Sequence, residues 1–462
     1  MLKLSLEDIV MATKAIVECD NLKLNIRDIK TDSRILEPGD VFVCLEGNRF
    51  DGHDFARQAI EKGAIALIVH RPLDFEPNIP CLLVNDTVKA LGDIARFIRN
   101  NTNARVIALT GSVGKTTTKE MLFSILSQKF KIGKSRGNWN NQIGVPLSIF
   151  QFEGDEDIWL LEVGINNQKD MDELGDIIWP DIAIILNAGT SHLKGLGNKE
   201  NVALHKCKLL KYVKDKGCAF INADNIVIEK SKPYNLKKIY VSKQDKNLNV
   251  KFLTNENNKG IFLFTWNGKK IKARLPFVGE QFEENIRFAM HVGKYFGLQL
   301  KDIILGLEDL TIPGQRFKIF TLDGWTVIDD TYNANPMSMR ASILTAKQIA
   351  QDQPLILVLG DMKELGDYER IEHEKLGLLL RTIQPALVFY KGKWGEVIKN
   401  IYQDNNFFVV NSDEEFISFL KNYNFAKGII LFKASRSLQL EQFVNRFRTS
   451  VLKNIYKEQE LR

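Results

Sequence analysis

A lysine followed by three threonines, directly after a short glycine-containing stretch, has the clearest chemistry in the sequence. Residues 105–120 read RVIALTGSVGKTTTKE, in which an apolar run at 106–109 precedes Gly111 and Gly114. Glycines in a tight loop let backbone N–H groups converge on phosphate oxygens, and the start of a helix adds its positive dipole end. The pattern therefore predicts a nucleotide-phosphate loop between a strand and a helix.

Two side chains of this loop have roles that follow from their chemical type. Lys115 is expected to reach the terminal phosphates, and the hydroxyl of Thr116 is placed to hold Mg²⁺. The spacing is shorter than in the commonest phosphate loop, because Leu109 stands where the first glycine is expected. An ordinary glycine turn before a helix is the alternative interpretation. The residues predicted to surround the phosphates are Gly111, Ser112, Val113, Gly114, Lys115, Thr116 and Thr117.

Two further polar residues follow predicted strands of the same unit. Glu162 lies near the end of an apolar run at 157–163, and His192 follows the run at 181–186. Ligands of parallel α/β sheets bind at the carboxyl ends of the strands. We therefore predict that Thr116, Glu162 and His192 meet around one magnesium nucleotide. A carboxylate paired with a lysine and a histidine that caps a loop are the alternatives.

The elements that position these residues alternate between strands and helices, which predicts an α/β fold in three parts. Residues 1–103 read as a small α/β domain, 104–311 as a central nucleotide-binding domain with a parallel sheet and a β-meander at 240–278, and 312–462 as a parallel, Rossmann-like domain. No GxGxxG follows the first strand of the third part, so nothing favours a nicotinamide cofactor. Strands are predicted at 41–45, 106–109, 157–163, 181–186, 217–225, 325–329, 355–359, 385–390, 407–410 and 428–432, and helices at 201–212, 285–297 and 337–350.

Composition narrows the class of protein. The 462 residues are 44% hydrophobic, enough for about three domains of ~150 residues each. The formal charge of +6 suits small anionic molecules and does not require nucleic acid. The apolar runs are too short to span a membrane, and the acidic residues near the start do not fit a signal peptide. Scattered cysteines without a CxxC pair favour a reducing cytoplasm.

Two other groups of residues have open interpretations. The polar loops that contain Ser33, Arg34, Arg49, Asp51 and His53 suit a phosphorylated ligand, with a solvated turn as the alternative. The lysines of the helix predicted at 201–212 are expected on a solvated face. They are Lys206, Lys208 and Lys211.

Several stretches together resemble the Mur ligases of bacterial cell-wall synthesis. They are TDSR, PGDVF and DGHDF in the first part, TGSVGKTTTKE, NWNNQIGVPLS, LEVG and NAGTSHL in the second, and PGQR, DDTYNANPMSM, LGDMKELG and KASRS in the third. The resemblance covers nearly the whole chain. DTYNANP and NNQIGVPLS are specific to the branch of the family that adds D-alanyl-D-alanine.

This resemblance implies a UDP-binding domain, an ATPase domain and a mobile lid that together form an amide bond. The γ-phosphate of ATP would go onto the terminal carboxylate of UDP-N-acetylmuramoyl-tripeptide. The amine of D-alanyl-D-alanine would then attack the acyl phosphate. The expected cofactors are ATP and two Mg²⁺ ions, with a carbamylated lysine, and the expected state is a monomer.

The resemblance also assigns roles residue by residue. The residues alone do not choose between Lys206 and Lys208 as the carbamylated lysine, and the choice of Lys206 rests on the resemblance. Catalytic positions are Lys115, His192 and Lys206, and metal positions are Thr116, Glu162, His192 and Lys206. Further nucleotide positions are Asn285, Arg316, Asp330 and Tyr332. Substrate positions are Ser33, Arg34, Asp51, His53, Asn138, Asn140, Asn141, Asn333, Asn335, Lys433 and Arg436.

The sequence departs from the family pattern at a few places. Val113 stands where an asparagine is usual, Lys194 and Lys208 replace acidic residues, and GEQFEEN at 279–285 lacks the usual His-Asn pair. The principal catalytic and metal positions are intact, so we expect an active enzyme. The alternatives are another amide ligase, such as a different Mur step or a folylpolyglutamate synthase, a nucleotide-switch module, and an inactive scaffold.

Overall fold

The computed structural model describes residues 4–18, 21–47, 49–191, 193–423, 425 and 427–460. Four sheets lie in these ranges, and helices connect the strands of the three parallel or mixed sheets. The predicted α/β class is therefore confirmed.

The first sheet is small and parallel, and it precedes the phosphate loop. Its elements are α1 (Leu6–Thr13), β1 (Ile29–Lys30), β2 (Val41–Val43), α2 (Ala56–Glu61), β3 (Ala66–Val69), β4 (Cys81–Leu83) and α3 (Thr87–Asn100). The strands lie in the order β1-β2-β3-β4. Single 3₁₀ turns at Ser33–Ile35 and Gly52–Phe55 carry most of the predicted substrate residues of this part.

The central sheet has six parallel strands in the order β10-β9-β8-β5-β7-β6, and an antiparallel sheet β11-β12-β13 follows it. The elements are β5 (Arg105–Thr110), α4 (Lys115–Leu126), β6 (Ile132–Lys134), α5 (Gly144–Phe150), β7 (Ile158–Glu162), α6 (Asp170–Ile178), β8 (Ile182–Ile185), α7 (Leu193–Leu196), α8 (Lys199–Cys207), β9 (Cys218–Asn222), α9 (Val227–Ser231), β10 (Lys237–Val241), β11 (Leu248–Glu256), β12 (Lys259–Trp266), β13 (Lys269–Leu275), α10 (Glu283–Tyr295) and α11 (Leu300–Glu308). The predicted meander is thus present.

The position of β5 in this sheet organises the site. β5 is buried from Val106 to Thr110 and lies between β7 and β8. An apolar run of this kind is typical of a parallel strand that is covered on both faces. Because all three strands run in the same direction, the loops that follow β5, β7 and β8 adjoin one another.

The single helix predicted at 201–212 is an α-helix followed by a 3₁₀ turn, and one of its lysines is buried where a solvated position was predicted. α8 ends at Cys207, and a 3₁₀ turn follows at Lys208–Tyr212. The expectation of a solvated face is wrong for Lys206, which is fully buried, although Lys211 is exposed. Lys206 follows buried Val202 and Ala203 by four and three residues, so it shares their inward face.

The third sheet is mixed, whereas the sequence analysis expected a parallel one. Its elements are β14 (Lys318–Leu322), β15 (Trp325–Asp329), α12 (Pro336–Ala350), β16 (Leu355–Gly360), α13 (Glu369–Ile383), β17 (Leu387–Lys391), α14 (Gly395–Tyr402), β18 (Phe407–Val409), α15 (Asp413–Lys421), β19 (Gly428–Lys433) and α16 (Glu441–Glu460). The strand order is β14-β15-β19-β16-β17-β18, and β14 alone is antiparallel to its neighbour.

The additional strand β14 has a local cause. Asp323 and Gly324 both have positive φ angles and join β14 to β15. Asp-Gly is a preferred pair for a two-residue hairpin turn, because that turn needs positive φ at both positions. The Asp-Gly pair is present in the sequence, but β14 was not predicted from it.

Candidate active site

The phosphate loop occupies the turn between β5 and α4. Gly114 has φ +80°, and a Cβ built on it would lie 2.4 Å from Nδ2 of Asn285. A Cβ on Gly111 would lie 2.9 Å from Cβ of Leu186. Both positions therefore require glycine, one for its conformation and both for space.

Asn187 holds the backbone of the phosphate loop. It lies two residues after the end of β8, the strand beside β5. Its Oδ1 accepts hydrogen bonds from the N–H groups of Ser112 at 3.1 Å and Val113 at 3.0 Å. Its Nδ2 donates to Glu284 at 2.5 Å, which fixes the orientation of the amide. Asn187 was not among the predicted site residues, although it opens the NAGTSHL stretch directly after a strand.

Lys115 begins α4 and folds back over the loop. Its Nζ donates to the carbonyl oxygen of Gly111 at 2.8 Å. Loss of hydration lowers the pKa of Lys115, and the charge of Glu162 opposes that shift. The ammonium group is therefore held at the mouth of the loop.

Thr116 and Glu162 meet, as the strand order requires. Oγ1 of Thr116 donates to Oε2 of Glu162 at 2.8 Å, and Nδ2 of Asn140 donates to Oε1 at 2.8 Å. Arg316, which precedes β14, donates from Nη2 to Oγ1 of Thr116 at 3.3 Å. The Glu162 side chain is buried. One carboxylate and one hydroxyl thus face each other beside the phosphate loop.

A buried lysine completes this cluster and was also missed. Nζ of Lys119 donates to the carbonyl oxygens of Ser135 at 2.8 Å and Gly137 at 2.6 Å, and it lies 3.7 Å from Oε2 of Glu162. Burial lowers the pKa of Lys119, and Glu162 opposes the shift. These contacts join segments that are distant in sequence, so no local pattern signals them.

Lys206 is a buried amine with no hydrogen-bond partner among the described residues. Burial, together with the charge of Lys115, lowers its pKa well below the ordinary value. His192, the third residue predicted to meet the nucleotide, lies outside the described residues, so that prediction stays untested.

Asn285, Arg316 and Tyr332 are predicted nucleotide residues that lie outside the phosphate loop. Asn285 on α10 contacts the loop, and Arg316 and Tyr332 of the third part contact each other. Nδ2 of Asn285 donates to Oγ1 of Thr118 at 2.8 Å and to the Gly114 carbonyl at 3.3 Å. The guanidinium of Arg316 lies 3.5 Å above the ring of Tyr332. Thr117 is buried within α4. Arg316 therefore links the third part to the phosphate loop.

The loop that follows β15 is held by a buried ion pair. Oδ2 of Asp330 accepts from Nζ of Lys433 at 2.6 Å, and Lys433 also donates to the carbonyl of Asn333 at 2.9 Å. Oδ1 of Asn333 accepts from the Arg436 N–H at 3.3 Å. Asn335 caps α12 by accepting from the Ser338 N–H. These contacts shape one loop.

The remaining predicted substrate residues have mainly structural contacts. Asn141 accepts from the Gly144 N–H at 2.8 Å, just before α5, whereas Asn138 is exposed. Ser33 is buried and donates to Gln58 at 2.6 Å. Their roles in substrate binding stay predictions.

Arg34, Asp51 and His53 also have partners within the first part. Arg34 is exposed and pairs with Asp32, which lowers the pKa of Asp32 to about 2. Nδ1 of His53 lies 2.6 Å from Asp51, which also pairs with Arg71 at 2.5 Å. An exposed arginine suits a ligand better than the buried His53 does.

The donor set beside the phosphate loop fits Mg²⁺. In the described ranges there is no group of three or more His, Cys, Asp or Glu side chains that suits a metal ion. Mg²⁺ is usually bound by one or two protein oxygens together with substrate phosphates and water. Glu162 and Thr116 match that sparse set of hard oxygen ligands. Separately, the described helices include none that is long and apolar enough to cross a membrane.

Comparison with known proteins decides the family. Three family models match the chain: the Mur ligase family catalytic domain at 25–99, the Mur ligase middle domain at 109–293, and the Mur ligase glutamate ligase domain at 315–436. The UDP-N-acetylmuramoyl-tripeptide–D-alanyl-D-alanine ligase of Bacillus subtilis (strain 168) is 33% identical over 427 residues, which are 91% of this chain and 92% of that protein. The chain belongs to the Mur ligase family.

Further relatives of this Mur ligase agree. The ligase of the same name from Escherichia coli (strain K12) is 33% identical over 92% of this chain and 95% of its own. A crystal structure of MurF from Acinetobacter baumannii has a TM-score of 0.88 at 30% identity and covers 97% of this chain and 100% of that one. MurF from Thermotoga maritima in complex with ADP has a TM-score of 0.84 at 29% identity and covers 93% and 98%. The resemblance stated from the sequence is confirmed.

Proposed function

We propose that this Mur ligase joins D-alanyl-D-alanine to UDP-N-acetylmuramoyl-tripeptide and converts ATP to ADP and phosphate. The observation that carries the proposal is the meeting of the phosphate loop with Glu162 and Arg316, in a chain whose relatives of that name cover more than nine-tenths of it. The ADP complex of the Thermotoga maritima relative supports nucleotide binding. The three parts, 1–103, 104–311 and 312–462, would bind the UDP-substrate, bind ATP and close over both.

The first chemical step overcomes the low reactivity of a carboxylate. Its leaving group would be oxide, whereas an acyl phosphate has phosphate as a leaving group. A carboxylate oxygen attacks the γ-phosphorus, and ADP leaves. Lys115 stabilises the charge on the transferring phosphoryl group, and the N–H groups of the loop hold the remaining phosphates. Glu162 and Thr116 would hold Mg²⁺, which supplies charge neutralisation at the phosphates.

Lys206 enters the proposal as the carbamylated residue. Because its amine lacks partners among the described residues and its pKa is lowered, the neutral form is available to attack CO₂. The nitrogen forms a bond to carbon and loses a proton, which gives an anion in place of a cation. That anion would join Glu162 as a ligand of Mg²⁺.

The second step forms the amide. The amine of D-alanyl-D-alanine attacks the acyl carbon, a tetrahedral intermediate forms, and phosphate leaves with the oxygen it received. The Asp330–Lys433 pair holds the loop with Asn333 and Asn335, which would meet the dipeptide. Because this loop and the phosphate loop belong to different parts, closure would assemble the site and exclude water from the acyl phosphate.

The cellular location and the oligomeric state complete the proposal. We place the protein in the cytoplasm as a monomer, with the same reaction as its relatives. Cys44, Cys81, Cys207 and Cys218 are free thiols, which supports a reducing compartment.

A single reconstituted reaction tests the proposal. The purified protein is incubated with ATP, Mg²⁺, UDP-N-acetylmuramoyl-tripeptide and D-alanyl-D-alanine, and the pentapeptide product is detected by mass. Product that requires all four components supports the proposal. Preference for glutamate as the acceptor would favour a folylpolyglutamate synthase, whose solved relatives at 14–16% identity share the fold. Tight GTP binding without an amide product would favour a nucleotide switch.

A further inference from the structure

Lys119 is a fully buried cation that the proposed reaction does not use. Its side chain lies one helical turn after Lys115, on the inner face of α4. A buried ammonium is costly unless its charge and its hydrogens are satisfied. The backbone carbonyl oxygens of Ser135 and Gly137 accept hydrogen bonds from its Nζ, at 2.8 Å and 2.6 Å. Its charge must therefore be balanced by the carboxylates nearby.

Two carboxylates face this ammonium, and among the described residues only Glu162 has no closer ion-pair partner than Lys119. Oε1 of Glu120 and Oε2 of Glu162 each lie 3.7 Å from Nζ. Glu120 also forms a closer ion pair with Lys134 at the rim of the cluster. Glu162 has Lys119 as its ion-pair partner among the described residues, while Arg316 contacts its neighbour Thr116. Lys119 therefore offsets the charge of Glu162.

Lys119 also fixes the segment that carries the other contacts of Glu162. The Ser135 carbonyl accepts from Lys119, and the Ser135 hydroxyl accepts from the Glu162 N–H at 3.0 Å. The same segment continues to Asn140, whose Nδ2 donates to Oε1 of Glu162 at 2.8 Å. The ammonium thus sets both the position and the electrostatic environment of this carboxylate.

We propose that Lys119 makes metal binding at Glu162 dependent on the nucleotide. In the nucleotide-free protein, a divalent cation gains the attraction of Glu162 and meets the repulsion of Lys119, with Lys115 and Arg316 adding further positive charge. Nucleotide phosphates reverse this balance, so the metal binds together with them. Lys119 is then a positioning residue that acts through Glu162. This inference rests on the proposed function, because it takes Thr116 and Glu162 as metal ligands.

The test is the affinity of Mn²⁺ for the full-length protein, measured from the electron paramagnetic resonance signal of free Mn²⁺. Lys119→Met keeps most of the length of the side chain and removes its charge. In the nucleotide-free state, we expect this variant to bind Mn²⁺ at least tenfold more tightly than wild type. In saturating ADP, corrected for Mn²⁺–ADP in solution, we expect a much smaller difference. Unchanged or weaker binding by the nucleotide-free variant overturns the proposal, because a merely structural role can only loosen the site.

Lys134→Met is the matched control. The substitution removes the lysine that pairs with Glu120. Lys134 forms no ion pair with Glu162 among the described residues, so we expect the variant to have wild-type Mn²⁺ affinity. Tightening in this control to the same extent would overturn the specific role of Lys119.

A measurement on wild type alone keeps the proposal testable if Lys119→Met does not fold, as judged by circular dichroism. Mn²⁺ should bind at least tenfold more tightly with ADP than without it, and equal affinities overturn the proposal. The amide-forming assay is read separately. Loss of amide product in wild type would refute the proposed function, whereas a failed Mn²⁺ comparison beside normal product refutes only the role of Lys119.

Discussion

At the scale of single residues, burial decides which lysine has which chemistry. Lys206 and Lys208 are two positions apart and were equivalent in the sequence, yet Lys206 is buried without a partner among the described residues and Lys208 pairs with Asp172 at 2.6 Å. The difference comes from packing of α8 against the rest of the central part. The periodicity of this short helix did not reveal the difference, because the polar residues His205 and Lys206 occupy two of its five buried positions.

Substitution of Lys206 tests the carbamate directly. Lys206→Ala should reduce kcat for amide formation by about 100-fold or more, because it removes a proposed ligand of Mg²⁺, and loss of one group that supports transition-state charge typically costs that much. Short carboxylic acids such as formate or acetate should restore part of the rate by supplying the missing anion. Lys208→Ala should remain close to wild type and should not respond to these acids. Full activity of unrescued Lys206→Ala would exclude the role.

The lowered pKa of Lys206 also makes stability depend on pH. Between its pKa in the folded protein and its ordinary value of 10.5, the unfolded chain binds one proton more than the folded chain, so wild-type stability rises with pH across this window. The loss of stability caused by the buried charge is greatest at pH values below this window. We expect Lys206→Met to be more stable than wild type at pH 7 in CO₂-free buffer, with a difference that shrinks toward pH 10. Urea unfolding at several pH values measures it, and a growing difference would contradict the account.

At the scale of elements, strand order explains why Thr116 and Glu162, two of the residues predicted to meet, do so. Thr116 and Glu162 are 46 positions apart. Glu162 ends β7, and Thr116 lies in the first turn of α4, after the loop that follows the adjacent strand β5, so the rule for parallel sheets predicted their meeting. Asn187, Lys119 and Glu284 were missed because their contacts depend on which loops become neighbours. The predicted strands of the central sheet were found, and β14 was missed because its Asp-Gly turn was overlooked.

A glycine in the phosphate loop tests the conformation of this element. Gly114→Ala should raise the Kd for ATP by at least tenfold, because its positive φ and the 2.4 Å approach to Asn285 leave no room for a methyl group. Gly268→Ala is the matched control, since Gly268 has φ +79° in the hairpin between β12 and β13 and open space around its Cβ. Its backbone strain is similar, so its ATP affinity should be unchanged. Equal effects on ATP affinity would contradict the account.

At the scale of the whole molecule, Arg316 joins units that are remote in sequence. It contacts Thr116, 200 positions away, and stacks on Tyr332 in the loop that follows β15. The sequence resemblance suggested proximity to the nucleotide, but this three-way contact required the fold. The third part thereby contacts the start of α4 through the Arg316 side chain.

Loss of this arginine should uncouple nucleotide binding from closure. We expect Arg316→Met to lower kcat at least 100-fold while the KM for UDP-N-acetylmuramoyl-tripeptide changes less than threefold, because the proposed function assigns binding of that substrate to residues 1–103. Protection of the segment near 312–316 from proteolysis by a non-hydrolysable ATP analogue should also be lost. Arg340→Met, on the exposed face of α12, is the control for loss of an arginine in the third part. An unchanged kcat would exclude a role for Arg316 in closure.

The central claim is that the carboxylate of the tripeptide receives the γ-phosphate before it meets the amine. Its most direct test uses UDP-N-acetylmuramoyl-tripeptide with ¹⁸O in the terminal carboxylate, and mass analysis of the phosphate released in amide synthesis. We predict one ¹⁸O atom in each phosphate formed from a fully labelled carboxylate, since the oxygen that attacks phosphorus leaves with it. Unlabelled phosphate, or transfer of the label to AMP, would contradict the account.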